Sequence, residues 1–144
     1  MADLIPSHSP SLDSALAMLV GVREAAAAEG LSLAAAVVDA GGHLIASQRM
    51  DGTPLGAPAL AADKAYTAVL WGMRTGEFME STQPGGVDWS YPSTNPRVVV
   101  YAGGLPLYSD GQLVGGIGAS GGTAEQDEAC VGAAAKAAGY DIEA

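Results

Sequence analysis

The chain has 144 residues, with 16 acidic and six basic side chains and a formal net charge of −10. This length fits one domain, 1–144, that can bury a core without disulfides or metals, and the negative charge argues against nucleic acid or a membrane surface as partners. Cys130 is the only cysteine and the N-terminus lacks the basic and apolar regions of a secretion signal, so we expect a cytoplasmic protein.

The first predicted element is an amphipathic helix. Apolar residues recur at spacings of three and four from Leu12 to Ala26, after a Ser-Pro-Ser segment and before Gly30. Serine caps helix starts, proline is tolerated in the first turn and glycine commonly ends helices. These signals therefore agree on the helix and on both of its ends.

A β-hairpin is predicted next. Two largely apolar runs, 33–38 and 43–50, flank the turn sequence Asp-Ala-Gly-Gly, in which glycine can adopt the positive φ that tight turns require. The second run leads into Arg49-Met50-Asp51. The hairpin thus brings a cation, a thioether and a carboxylate to one end.

Helical and irregular segments follow the hairpin. A second helix is predicted over 57–72 and a shorter helical piece over 75–81. Residues 82–96 contain three prolines, two glycines, Trp89 and Tyr91, and they show neither a helical nor a strand period. This composition predicts a long loop that carries aromatic side chains.

The last third of the chain is predicted to form three strands and a helix. The strands cover 97–102, 105–108 and 112–119, and the helix covers 124–138 behind a Thr-Ala-Glu-Gln capping box. Together with the hairpin this makes five strands, joined mostly by short turns that favour antiparallel pairing. The predicted fold class is α/β, of the α+β kind: a five-stranded antiparallel sheet flanked by helices.

Residues 116–122 match two patterns of enzyme active sites, G-x-G-x-x-G and G-x-S-x-G. The dinucleotide pattern requires a parallel strand after the helix, and no such strand follows up to Ala144. The hydrolase pattern requires a later histidine, whereas both histidines lie upstream. We therefore expect these glycines to allow close helix–sheet packing, and Ser120 beside the helix start to offer an anion site.

The six cationic side chains are informative because they are few. Arg49 ends the second strand and Lys64 lies on the helix that follows, so we expect the two to converge and to orient a carboxylate. A partly desolvated Lys64 could then move a proton. The alternative is a pair of surface contacts, Arg49 with Asp51 and Lys64 with Asp63, which would have little effect.

Five sequence blocks occur in an order typical of one family: RMDG at 49–52, AADKAYT at 61–67, GGLPL at 103–107, GGIGASGG at 115–122 and EQD at 125–127. On these blocks the chain resembles the GlcG/HbpS family of small haem-degrading domains, which includes the C-terminal domain of PduO. The resemblance covers nearly the whole chain. It implies a profilin-like fold and a homo-oligomer with ligand sites close to its subunit contacts.

Haem is the ligand that the resemblance suggests. Haem-binding members of the family resemble one another in using a ligand such as histidine from the first helix region, but residues 12–30 contain no histidine, cysteine or tyrosine. His8 precedes this helix and is the alternative haem ligand, with Met18 and Met50 as soft axial candidates. No metal site is predicted, because one cysteine and two histidines offer no paired ligand spacing.

The leading prediction is a domain that binds a small organic molecule between the hairpin end, the second helix and the aromatic loop. As an enzyme, it would isomerise, eliminate, deaminate or cyclise a small carboxylated or carbonyl compound by acid/base chemistry without a cofactor. The predicted catalytic residues are Lys64, Asp51, Tyr91 and Tyr101, and the predicted ligand-binding residues are Arg49, Met50, Thr67, Trp71, Trp89, Gly103, Gly104 and Ser120. The alternatives are a haem-binding, haem-storage or sensing protein and a structural subunit with an empty pocket.

Overall fold

An antiparallel sheet with helices on both faces forms the body of the protein. The computed structural model describes all 144 residues. The elements are α1 (Leu12–Ala28), β1 (Ala34–Asp39), β2 (Leu44–Arg49), α2 (Ala57–Trp71), α3 (Phe78–Ser81), β3 (Gly104–Ser109), β4 (Gln112–Ser120) and α4 (Ala124–Ala137), with short 3₁₀ segments at Thr75–Glu77 and Tyr91–Thr94. The strands pair in the order β2-β1-β4-β3, and every neighbouring pair is antiparallel. None of the helices combines the length and apolar character needed to cross a membrane.

Strand β1 is buried on both faces because helices cover both sides of the sheet. Ala35 and Val37 belong to the main core, which also contains residues of α1 and α4. Ala34 and Val38 instead cluster with small apolar residues of α2. The strand therefore reads as a continuous run of small apolar residues rather than an alternating pattern.

The predicted helix starts are confirmed. The Ser11 hydroxyl accepts the N–H of Ser14 at the beginning of α1. Thr123 and Gln126 form both reciprocal hydrogen bonds of the capping box at the beginning of α4. Each cap satisfies backbone donors that the first turn of a helix leaves without a partner.

The predicted hairpin is also confirmed, and Asp39 stabilises its turn. The Asp39 carboxylate accepts the backbone N–H groups of Gly41 and His43, each at 2.9 Å. Burial opposes ionisation of Asp39, but these hydrogen bonds and the nearby His43 outweigh it and hold the pKa of Asp39 below its ordinary value.

The predicted strand over 97–102 is not formed, so the sheet has four strands rather than five. This segment lies along α2, where helix side chains bind its polar groups. The Thr67 hydroxyl accepts the N–H of Val99 at 3.0 Å, and Asp63 accepts a hydrogen bond from Arg97 Nε at 2.9 Å. At Val99 the helix thus supplies a backbone hydrogen bond that a neighbouring strand would otherwise supply. The predicted fold class is confirmed, with this one change in strand number.

Glycines of β4 allow α2 to pack directly on the sheet. A Cβ atom on Gly116 would lie 2.5 Å from the carbonyl oxygen of Ala65, and one on Gly118 would overlap the carbonyl oxygen of Ala61. Only glycine permits so close an approach. The expected helix–sheet packing role is therefore confirmed for Gly116 and Gly118. The sheet also has no parallel pair, so it lacks the strand arrangement of a dinucleotide-binding fold.

We predict that Gly118→Ala lowers the free energy of unfolding by about 2 kcal/mol or more, because its added methyl group must displace α2. Gly132→Ala is the matched control, since Gly132 is also buried but an added Cβ would meet only Leu105 Cδ1, at 3.6 Å. The control should be neutral or stabilising, as alanine favours helix. Urea denaturation measures both, and equal stabilities of the two variants would contradict the packing role of Gly118.

Candidate functional site

A shallow recess lies at the open end of the β1–β2 hairpin. It has a volume of about 390 Å³ and is lined by Arg23, Gln48, Arg49, Met50 and Asp51. Arg23 comes from α1, whereas the other four residues lie at or just beyond the end of β2. Three predicted site residues, Arg49, Met50 and Asp51, thus line this recess together. Arg23 also lines it, although it was not predicted as a site residue.

Hydrogen bonds fix the elements that form this recess. Gln48 Nε2 donates to the carbonyl oxygen of Leu19 at 2.6 Å, which holds β2 against α1. Arg23 lies four residues after Leu19, on the same side of the helix. The N–H of Met50 donates to the Leu33 carbonyl at 3.0 Å, and the Met50 sulfur accepts the Leu33 N–H at 3.3 Å. Met50 is therefore engaged in holding the hairpin end in place.

The two arginines of the recess have no acidic partner. No carboxylate lies within 4.0 Å of Arg23 or Arg49, although three other cations of the chain are ion-paired. The alternative pair of Arg49 with Asp51 is not formed. A free guanidinium presents a planar fork of donors that matches a carboxylate or phosphate. The recess therefore has the charge and the donors to hold a small anion.

Lys64 and Asp127 form a buried ion pair between α2 and α4. Lys64 Nζ lies 2.9 Å from Asp127 Oδ2, it also donates to the Ala119 carbonyl at 3.0 Å, and each side chain is 2% exposed. The second carboxylate oxygen, Asp127 Oδ1, accepts the N–H of Gly122 at 2.9 Å. Both charges thus have hydrogen-bonding partners, the condition under which a buried pair is tolerated.

The expected convergence of Lys64 and Arg49 is absent. The Lys64 amine points into the interior toward the first turn of α4, and Lys64 does not line the recess. The alternative contact of Lys64 with Asp63 is not formed either, because Asp63 binds Arg97. Asp127 is the partner that the sequence analysis missed. A signal for this pair was present in the sequence: Lys64 shares its helix face with alanines, which indicates a buried amine. A buried amine requires a counter-charge.

Three predicted ligand-binding residues lie near Lys64 rather than in the recess. A Cβ on Gly103, whose φ is +124°, would lie 2.7 Å from Lys64 Nζ. Gly104 packs against the Lys64 backbone, and its N–H donates to Thr75 Oγ1 at 2.9 Å. Thr67 is fully buried one turn after Lys64. All three are placed where they shape the surroundings of the buried pair.

A second cleft, of about 400 Å³, lies between the end of α2, α3 and the loop that follows α3. The predicted residues Trp71 and Tyr91 line it together, and Trp71 Nε1 donates to the Tyr91 hydroxyl at 2.6 Å. Phe78 completes its aromatic surface and was not predicted. Trp89 and Tyr101 do not line this cleft and are 60% and 57% exposed. The structure thus contains two sites without a common residue, where one pocket was expected.

The remaining predicted residues lie outside both sites. Ser120 ends β4 and is 6% exposed. His8 lines a recess of about 390 Å³ with mainly polar neighbours, among them Asp110 and Gln112. Met18 is fully buried in the core. No group of three histidine, cysteine, aspartate or glutamate side chains is arranged to hold a metal ion.

Known proteins are similar to this chain in sequence and in fold. The family model described as haem degrading protein HbpS-like matches residues 11–136. An uncharacterised 15.0 kDa protein from the dhaT–dhaS intergenic region of Citrobacter freundii is 40% identical over 92 residues, 63% of this chain and 65% of that protein. The corrinoid adenosyltransferase PduO of Salmonella typhimurium is also 40% identical over 92 residues, 63% of this chain and 27% of PduO.

Among solved structures, a crystal structure of a PduOC–haem complex has a TM-score of 0.90 at 31% identity. The similarity covers 94% of this chain and 99% of that chain. By contrast, the matched region is less than two thirds of the length of both curated relatives.

We predict that Lys64→Met lowers the free energy of unfolding by about 3–5 kcal/mol, because it leaves the Asp127 carboxylate buried without its counter-charge. Asp127→Leu should cost a similar amount, whereas the double variant should lose much less than the sum. Denaturant unfolding of all four proteins measures this coupling. Lys136→Met, at an exposed position of α4, is the control and should change stability by less than about 0.5 kcal/mol. Additive losses in the double variant would contradict the pairing.

Proposed function

The chain belongs to the HbpS-like family, and from its own residues we propose that it binds a small organic anion in the recess of Arg23 and Arg49. The observation that carries this proposal is the pair of unneutralised guanidinium groups. In a protein with a net charge of −10, two of only six cations line one recess without an acidic partner. Two positive charges that line one recess attract an anion more strongly than either does alone.

A carboxylate is the anion that matches these groups best. Each arginine can donate two parallel hydrogen bonds to one carboxylate. Asp51, in the same recess, would accept a hydrogen bond from a hydroxyl or amino group of the same ligand. The volume of about 390 Å³ suits a small molecule. The proposed ligand class is therefore a small hydroxy- or amino-substituted carboxylic acid.

Binding, rather than turnover, is the function that these groups support best. Lys64 is committed to Asp127, and neither Tyr91 nor Tyr101 lines the recess. Asp51 is the only recess residue whose side chain can act as a general base, because the arginines, Gln48 and Met50 offer none. An isomerase, lyase or deaminase step at this site would accordingly use Asp51 as its base.

We also propose that the domain associates with copies of itself. Leu12, Leu16 and Val20 form an exposed apolar stripe on α1, and Leu44 on the edge strand β2 is 58% exposed. Exposed apolar residues grouped in this way are typical of protein interfaces. Because α1 and β2 also supply Arg23 and Arg49, the recess would lie beside the subunit contact.

Haem is the second candidate ligand, and the structural similarity to the PduOC–haem complex supports it. A haem site requires an axial ligand beside apolar surface for the ring. His8 lies in a mainly polar recess, and His43 is 82% exposed in the hairpin turn next to Asp39. The histidines of a single chain thus do not fit a haem, and the arginine recess remains the favoured site.

We predict that at least one member of a panel of two- to six-carbon hydroxy-, amino- and dicarboxylates binds the purified protein, measured by calorimetry. Arg49→Gln and Arg23→Gln should each weaken that binding about tenfold or more, since each removes a charge-assisted contact. Lys136→Gln, which removes an exposed cation elsewhere, should have no effect. No binding in the panel, or binding indifferent to both arginines, would refute the anion site.

A haem titration followed by absorbance distinguishes the second candidate. A saturable shift of the Soret band that is lost in a His8→Ala or His43→Ala variant would favour haem ligation by that histidine. We expect no histidine-dependent shift.

A further inference from the structure

The aromatic cleft differs from the arginine recess in both surface and charge. Its aromatic residues are Trp71, Phe78 and Tyr91, and the acidic residues Glu77 and Asp88 also line it. Trp71 ends α2, Phe78 begins α3, and Tyr91 and Asp88 come from the loop that follows. Three separate segments thus place aromatic rings and carboxylates around one space of about 400 Å³.

The aromatic rings are held in fixed positions within the protein. Tyr91 lies between the other two, 6.1 Å from Trp71 at an interplanar angle of 71° and 5.9 Å from Phe78 at 30°. The Tyr91 hydroxyl accepts a hydrogen bond from Trp71 Nε1, and its backbone N–H donates to the Asp88 carbonyl at 2.9 Å. The loop is further fixed where the Asp88 N–H donates to the Ser81 carbonyl, also at 2.9 Å. These contacts form the cleft before any ligand arrives.

The charges around the cleft are all negative. Neither Glu77 nor Asp88 takes part in an ion pair, and no arginine, lysine or histidine lines the cleft. Aromatic faces carry negative electrostatic potential, so rings and carboxylates attract the same type of ligand. That ligand is a cation with an apolar surface.

A bare metal ion does not suit this site. Hard metal ions require several oxygen ligands, whereas only two carboxylates line the cleft and no metal-binding cluster is present. An alkylammonium ion instead spreads its charge over methyl or methylene groups that fit against aromatic rings.

We propose that the cleft of Trp71, Phe78 and Tyr91 binds an organic ammonium ion, with Glu77 and Asp88 balancing its charge. The rings contact the alkyl groups of the ligand, and the carboxylates make the site selective for a positive charge over a neutral molecule of the same shape. This site shares no residue with the arginine recess, so ammonium binding here does not depend on anion binding there.

The test is a titration of the 144-residue protein with choline, followed by tryptophan fluorescence. Trp89→Phe leaves Trp71 as the only tryptophan, so the signal reports on the cleft. We expect a saturable change with choline, and about tenfold or more weaker binding of its uncharged carbon isostere, 3,3-dimethylbutan-1-ol. The double variant Glu77→Gln/Asp88→Asn should weaken choline binding by a similar factor and should leave binding of the isostere unchanged.

Two controls separate this site from general effects of charge. Glu80→Gln removes an exposed carboxylate of α3 that does not line the cleft and should not change choline binding. Arg49→Gln should also have no effect, whatever it does to anion binding. Absence of a saturable response, equal binding of choline and its isostere, or equal binding by the double variant and Glu80→Gln would each overturn the proposal.

Discussion

The buried ion pair between Lys64 and Asp127 is the interaction on which the arrangement of the other elements depends. It links α2, on one face of the sheet, to α4, on the other, beside the end of β4. Removing two charges from water is tolerated only when their mutual attraction and additional hydrogen bonds compensate for the lost hydration. The carbonyl of Ala119 and the N–H of Gly122 provide those bonds, so the backbone on both sides of Ser120 is held in position.

This pair also determines where ligand chemistry can take place. An amine that already binds a carboxylate and a carbonyl, at 2% exposure, is not available to a ligand. The groups that remain free lie at the ends of elements, on the surface. They form two sites of opposite charge, an arginine recess beside the hairpin and an acidic, aromatic cleft beyond α2. Lys64, which was expected to take part in a single pocket, therefore lines neither site.

Local features of the fold could be predicted from the sequence, whereas contacts between distant segments could not. The caps of α1 and α4 and the hairpin turn depend on residues that are close in sequence. The packing glycines are an exception: they were predicted from their clustering in one strand, although the helix that they approach, α2, is distant in sequence. The segment 97–102 has the composition of a strand, yet its Val99 N–H binds a threonine on α2, 32 residues earlier. No local sequence pattern predicts that Arg23 and Arg49 line the same recess. None predicts that Lys64 pairs with a residue 63 positions away. The residues at the hairpin end could therefore be predicted from the sequence, but the presence of Arg23 beside them could not.

The most direct test of this account is reductive methylation of the native protein, with mass spectrometry to locate the modified amines. The chain has only two lysines, Lys64 and Lys136, so each amine can be assigned without ambiguity. We expect modification of the exposed Lys136 and of the N-terminus, with Lys64 unmodified until the protein is unfolded in urea. Modification of Lys64 in the folded protein at a rate comparable to that of Lys136 would contradict the buried pair, because it would show that the Lys64 amine is accessible to solvent.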